Sequence, residues 1–278
     1  MNRPMLFVLA ILFWFAQPAS AASLRIVSAG ASVTAIVQAL ELDAHLVGVD
    51  STSQPLLEDR QLPDIGYPRQ VGAEGLLSLR PDVLLASEET GPPAVLAQLR
   101  HAGVEVVVLP VTPTLETLFG NIETLGERFD RRVTARTIVQ GLELQLAQLP
   151  LQPAERPQAL FLLSHSAGSL LVAGDGTAGN SLLGLGGMRN PVAGNFSQYR
   201  TLSAEAFLGL APVWLVTTSQ GLEMSGGAQG LLRTQPALAA TPAGRQGRIL
   251  GVDGAHMVGG FSPAVVSTLA ELRRAANR

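Results

Sequence analysis

Residues 73–85 read Ala73-Glu74-Gly75-Leu76-Leu77-Ser78-Leu79-Arg80-Pro81-Asp82-Val83-Leu84-Leu85. Residues 204–216 read Ala204-Glu205-Ala206-Phe207-Leu208-Gly209-Leu210-Ala211-Pro212-Val213-Trp214-Leu215-Val216, at a constant offset of 131 positions. In each copy Ala-Glu opens a short helix, proline stops it, and an apolar run follows as a buried strand. A looser match sets Gly30-Ala31-Ser32-Val33-Thr34-Ala35-Ile36 beside Thr177-Ala178-Gly179-Asn180-Ser181-Leu182-Leu183. A single period of roughly 130 residues is far too long for a solenoid and predicts two similar lobes.

The flanking sequence gives those lobes a class. A strand at Leu24–Ser28, a helix near Val33–Leu40 and a strand at Leu46–Asp50 alternate as α/β units do, which predicts parallel strands. Between the copies, apolar residues at 115, 118, 122, 125 and 129 follow helical spacing, with Thr114 as N-cap. A second helix runs from about Arg131 to Gln148 and stops at Pro150. Eighteen helical residues span roughly 27 Å, enough for a stiff connector. The predicted organisation is a leader at 1–21, an N-terminal lobe at 22–130, a connecting helix at 131–149 and a C-terminal lobe at 150–278. The lobes are expected to be Rossmann-like α/β units, with a ligand cleft between them.

The 278 residues are 47% hydrophobic and 15% charged, which excludes a disordered chain. A formal charge of −3, with every basic residue an Arg, argues against a nucleic-acid partner. There is no Cys, hence no disulfide scaffold, thiolate metal site or lipidated Cys. Arg3, the apolar run Met5–Ala16 and the small residues of Ala19-Ser20-Ala21 fit a secretory leader cleaved after Ala21. No later apolar run reaches the length of a membrane span and no Cys can carry a lipid, so a protein free in the periplasm is expected, and a monomer.

Few residues can carry chemistry. The chain has two Tyr, and Tyr67 lies in Leu62-Pro63-Asp64-Ile65-Gly66-Tyr67-Pro68-Arg69, a loop by its composition. Tyr67 suits packing with its hydroxyl tied to backbone, or ligand contact with Arg69 favouring the phenolate. His45 and His101 fall in helix-to-strand connections, whereas His165 and His256, the latter beside Met257, follow strand ends and could ligate a metal or haem. Gly174-Asp175-Gly176-Thr177-Ala178-Gly179 matches a dinucleotide fingerprint, but no acidic residue follows about 20 positions later. It is read as a turn opening a helix. The chain has no G-x-S-x-G elbow and no H-E-x-x-H, which leaves a nucleotide-dependent or hydrolytic periplasmic enzyme poorly supported.

The leader, RIVSAGASVTAIVQALELDAHLVGVDSTS, LPDIGYPRQVGAEGLLSLRPDVLLAS and AGDGTAGNSLLGLGG together resemble periplasmic haem-binding proteins of ABC haem importers. These belong to a wider group of binding proteins for cobalamin and ferric siderophores, which are the alternative ligands. The resemblance implies a carrier and not an enzyme, with ferric haem b as cargo and no other metal. It makes Tyr67 the axial iron ligand, with Arg69 near the phenolate or a propionate; phenolate is a hard oxygen donor suited to ferric iron. His165, His256 and Met257 become possible second-lobe ligands. The group's closing Gly-Phe-Gly-Pro-Arg run stands here as Gly259-Gly260-Phe261-Ser262-Pro263-Ala264, without the Arg, so Arg233 is assigned to the propionates. Phe196, Phe207, Trp214, Met224, Met257 and Phe261 are expected to line the porphyrin cleft. Glu74 and Glu205 are the implied docking residues for an inner-membrane ABC permease, downstream of an outer-membrane haem receptor.

Overall fold

A computed structural model describes residues 23–57, 60–164, 170–254 and 257–278. The leader, His165 and His256 lie outside the described residues. The first lobe runs β1 (Ile26–Ala29), α1 (Ala31–Ala39), β2 (Leu46–Val49), α2 (Ala73–Ser78), β3 (Val83–Ser87), α3 (Pro93–His101) and β4 (Glu105–Leu109). Its sheet has the order β2-β1-β3-β4, and every pair is parallel. Side chains alternate across it, as the period of two requires. Val27, Ala29, Leu84 and Ala86 pack under Leu76, Leu96 and Leu99 of α2 and α3. Ile26, Val83 and Leu85 face the opposite way, toward Val33, Ile36 and Val37 of α1.

Two helices follow. In α4 (Leu115–Arg128) the Thr114 hydroxyl accepts from the Thr117 N–H at 3.1 Å, and Leu118, Ile122 and Leu125 are buried. The next helix, α5 (Arg132–Ala147), packs on α4 through Ala135, Val139 and Leu142.

The second lobe comprises β5 (Ala159–Ser164), β6 (Leu170–Ala173), α6 (Ala178–Leu185), β7 (Tyr199–Thr201), α7 (Ala204–Leu210), β8 (Trp214–Thr218) and α8 (Ser219–Met224). Then come α9 (Gly227–Thr234), α10 (Pro236–Ala239), α11 (Pro242–Gln246), β9 (Ile249–Val252) and α12 (Val265–Ala276), which touches α5. The sheet order is β7-β6-β5-β8-β9.

The sequence repeat has a backbone counterpart. In one sheet Ile26 pairs with Val83, and in the other Ala159 pairs with Trp214. The Arg25 carbonyl accepts from the N–H groups of Asp82 (2.9 Å) and Val83 (3.2 Å); the Gln158 carbonyl does the same for Val213 (2.9 Å) and Trp214 (3.1 Å). Before the two prolines, Arg80 (φ +47°) and Ala211 (φ +43°) take the same left-handed turn, uncommon for residues with a Cβ.

One expectation needs correcting. Strands β5, β8 and β9 are parallel, but β6 runs antiparallel to both β5 and β7. Only five residues separate β5 from β6, and a parallel crossover needs a dozen or more. The second lobe is therefore a mixed sheet, with β6 filling the place beside the central strand that β2 fills in the first.

The lobes share one core. Ile26, Ile36 and Leu85 of the first lobe belong to the same apolar cluster as Phe161, Leu182 and Leu269 of the second, joined through α4 and α5. A strap from the second lobe closes the joint. The Ser32 N–H, in the first turn of α1, donates to the Val258 carbonyl at 3.0 Å, and the Ser32 hydroxyl donates to the Gly259 carbonyl. Gly259 (φ +82°) sits so close that a Cβ there would lie 3.1 Å from Ser32 Oγ and 3.2 Å from Ser87 Cβ.

Candidate functional site

Parallel sheets place ligand contacts beyond the carboxyl ends of their strands, and Tyr67 is held at that edge of the first sheet. Its loop is pinned from three sides. The Val49 N–H donates to the Pro63 carbonyl (3.1 Å), and the Ile65 N–H returns a bond to the Val49 carbonyl (3.0 Å). The Ser51 N–H donates to the Gly66 carbonyl at 3.0 Å, and the Gly91 N–H to the Pro68 carbonyl at 3.0 Å. Gly66 turns the chain at φ +87°, and a carboxylate oxygen of Asp64 accepts its N–H at 2.8 Å. The backbone is fixed while the side chain is presented: Tyr67 is 47% exposed, and its hydroxyl bonds to none of the described residues. This is the opposite of a packing tyrosine, whose hydroxyl finds a partner as the ring is buried.

Arg69 is two residues on, but its Nη2 meets Oε1 of Glu89 at 2.6 Å. Glu89 follows the carboxyl end of β3, and sequence reasoning missed it because nothing local joins positions 69 and 89. Exposed pairs of this kind contribute about 0–1 kcal/mol, so the guanidinium can exchange Glu89 for an incoming carboxylate. The other tyrosine behaves differently. Tyr199 is partly buried against the shared core, and its hydroxyl accepts from the Gly179 N–H at 3.4 Å. Burial pushes its phenol above the ordinary value, opposed by the Gly179 and Thr177 hydrogen bonds and assisted by the negative charge of Glu89.

The Gly174–Gly179 turn does lie between a strand and a helix, β6 and α6. The strand after it, β7, returns antiparallel, so the βαβ context of a dinucleotide site is absent. Thr177 caps α6 by accepting from the Asn180 N–H at 3.2 Å, and Asp175 accepts from the Gly194 N–H at 2.8 Å. Its polar groups hold the turn itself.

Other expected site residues are dispersed. Arg233 is exposed in the last turn of α9, with no bond to Tyr67 or Arg69. Met257 is partly buried against the shared core. Phe207, Trp214 and Phe261 are buried, which corrects their expected place on a cleft wall: Phe207 of α7 and Trp214 of β8 pack inside hydrophobic cores, and so does Phe261 from the segment before α12. Phe196 also packs on the second-lobe core, while Met224 is exposed. Glu74 and Glu205 stand exposed in the first turns of α2 and α7. The Glu205 carboxyl is held below the usual range by its own N–H and by the Ser203 hydroxyl. One turn later each helix exposes a leucine, Leu77 (36%) and Leu208 (48%), again at the 131-residue offset. Among the described residues no cluster of three His, Asp or Glu could hold a metal ion, and no helix is long and apolar enough to cross a membrane.

The chain resembles a periplasmic haem-binding protein from Pseudomonas aeruginosa, at 38% identity and TM-score 0.81, covering 91% of this chain and 92% of that one. A periplasmic haem-binding protein from Roseiflexus sp. RS-1 is 34% identical with TM-score 0.84, covering 91% and 97%. A vitamin B12-binding protein of Photorhabdus laumondii is 25% identical over 209 residues, 75% of this chain and 76% of its own. The periplasmic binding protein family model matches residues 26–255, from β1 through β9, and the chain belongs to that family.

Proposed function

We propose that this binding protein captures ferric haem b in the periplasm and delivers it to an inner-membrane ABC permease, without catalysing a reaction. The observation that carries the reading is the Tyr67 phenol: rigidly based, half exposed and unpartnered among the described residues. A phenolate oxygen is a suitable axial donor to ferric iron, and Arg69 beside it suits a propionate through a forked contact. Tyr199 is the poorer donor, because burial favours its neutral phenol. Tyr199→Phe should leave the visible spectrum of bound ferric haem unchanged; a lost ligand band would move the assignment to Tyr199.

The cleft between lobes, with 131–149 as connecting helix, lobes at 22–130 and 150–278 and cleavage after Ala21, completes the reading. Support comes from α5, which touches both α4 and α12. Glu74 with Leu77 and Glu205 with Leu208 are proposed as two equivalent docking points, each a carboxylate beside an apolar side chain on repeat-related helices. Two such points suit a permease of two like subunits presenting cations. Cells dependent on this carrier for haem iron should lose growth on haem with the double change Glu74→Ala and Glu205→Ala, while the purified double variant binds haem as wild type does. Growth without impairment would refute the docking assignment. Since its own N–H and the Ser203 hydroxyl favour the ionised form of Glu205, Ser203→Ala should shift the acid loss of docking to higher pH.

A further inference from the structure

Asp50 is the one charged side chain among the described residues that is buried, at 0% exposure, and no cation pairs with it. Taking a carboxylate out of water costs several kcal/mol unless hydrogen bonds replace its hydration. Here four donors do so. One oxygen accepts from the Gly30 N–H at 2.8 Å and from the Ser53 hydroxyl; the other accepts from the Thr52 N–H at 2.9 Å and from the Thr52 hydroxyl. Ser53 is bonded in turn to Thr34 at 2.8 Å, and Thr34 to Ser28 at 2.7 Å, so the network reaches β1 and α1.

What this arrangement fixes is the turn 50–53 at the end of β2, and within it the direction of the Ser51 N–H. That N–H holds the Gly66 carbonyl at 3.0 Å, and Gly66 immediately precedes Tyr67. Gly66 itself is unconfined: a Cβ there would meet nothing within 4 Å. The chain is anchored by packing at Ile65 and Pro68 on either side, while the bend at Gly66 itself is held by its hydrogen bonds. We infer that Asp50 is the positioning residue for Tyr67, fixing through Ser51 and Gly66 where the phenol is presented. The inference rests on the reading of Tyr67 as the iron ligand. An Asn at position 50 would aim an NH2 group at one pair of donors, and so break the network with almost no change of volume.

The test compares wild type with Asp50→Asn, Thr52→Val and Tyr67→Phe, using ferric haem as the probe. Amide exchange of haem-free protein reports the loop directly, and haem dissociation into a scavenger reports its consequence. Asp50→Asn should speed exchange in residues 62–71 about tenfold while α5 is unchanged, and should speed haem loss about tenfold with a heterogeneous spectrum. Thr52→Val, which keeps the carboxylate, should shift both in the same direction by less, and carries the test if Asp50→Asn fails to fold. Unchanged exchange in 62–71, or equal acceleration everywhere, would overturn the inference. So would local acceleration with unaltered haem loss, provided Tyr67→Phe changes the spectrum. If Tyr67→Phe changes nothing, the ligand reading fails, and with it the role of Asp50 in haem capture.

Discussion

Tyr67→Ala is expected to weaken ferric haem binding at least a hundredfold, about 2.7 kcal/mol or more, and to abolish the spectrum of an oxygen-ligated ferric iron. The reasoning is local. The phenol has no bond to a described residue and its ring is half exposed, so removing it costs the apo protein little. The loop stays pinned by backbone bonds from Val49, Ser51 and Gly91, none of which involves the side chain. The variant should therefore melt within about 1 °C of wild type, because surface changes away from packing usually fall within about 0.5 kcal/mol. Absorption titration and calorimetry check the two halves separately. Loss of stability alongside loss of binding would mean that the ring packs in solution as it does not here. Retained binding with an unaltered spectrum would move the iron ligand elsewhere, to His165 or His256.

Gly259→Val is expected to destabilise the folded chain by about 2–4 kcal/mol and to weaken haem binding as the lobes lose their joint. Two effects combine. At φ +82° a β-branched side chain meets its own backbone, and its Cβ would also press on Ser32 and Ser87, which are buried. The Ser32 bonds to Val258 and Gly259 then open, separating the strap from α1. Gly103→Val is the control. Gly103 has φ +86° with nothing within 4 Å of the added Cβ, so it carries the backbone strain without the crowding. Chemical denaturation of both variants should show Gly259→Val losing more. Equal losses would show that the strap is loosely seated.

Much of this architecture was legible from the sequence because it is local. The repeat of Ala-Glu, apolar residues and Pro predicts α2–β3 and α7–β8, and both are present with the same left-handed turn before each proline. Thr114 as a cap and the ends of α4 and α5 follow from spacing and side-chain chemistry. The features that were not legible depend on distant pairings. The reversal at β6 follows from a short connection whose effect on pairing is visible only once the strand ends are known. Arg69 gives no sign of Glu89, 20 positions away, nor Ser32 of Gly259, 227 positions away. Asp50 reads only as the end of a strand until its burial is known. Tyr67 stands between these cases: composition puts it on a loop, but only the fold distinguishes a presented phenol from a packed one.

The central claim is that the cargo is haem, and the most direct measurement is a parallel titration of the purified protein with ferric haem and with cobalamin. The account predicts a saturable spectral change with haem, arising from an oxygen-ligated ferric iron, and no saturable binding of cobalamin. Saturable cobalamin binding with no uptake of haem would contradict it, leaving the family and the fold in place but reassigning what the protein carries.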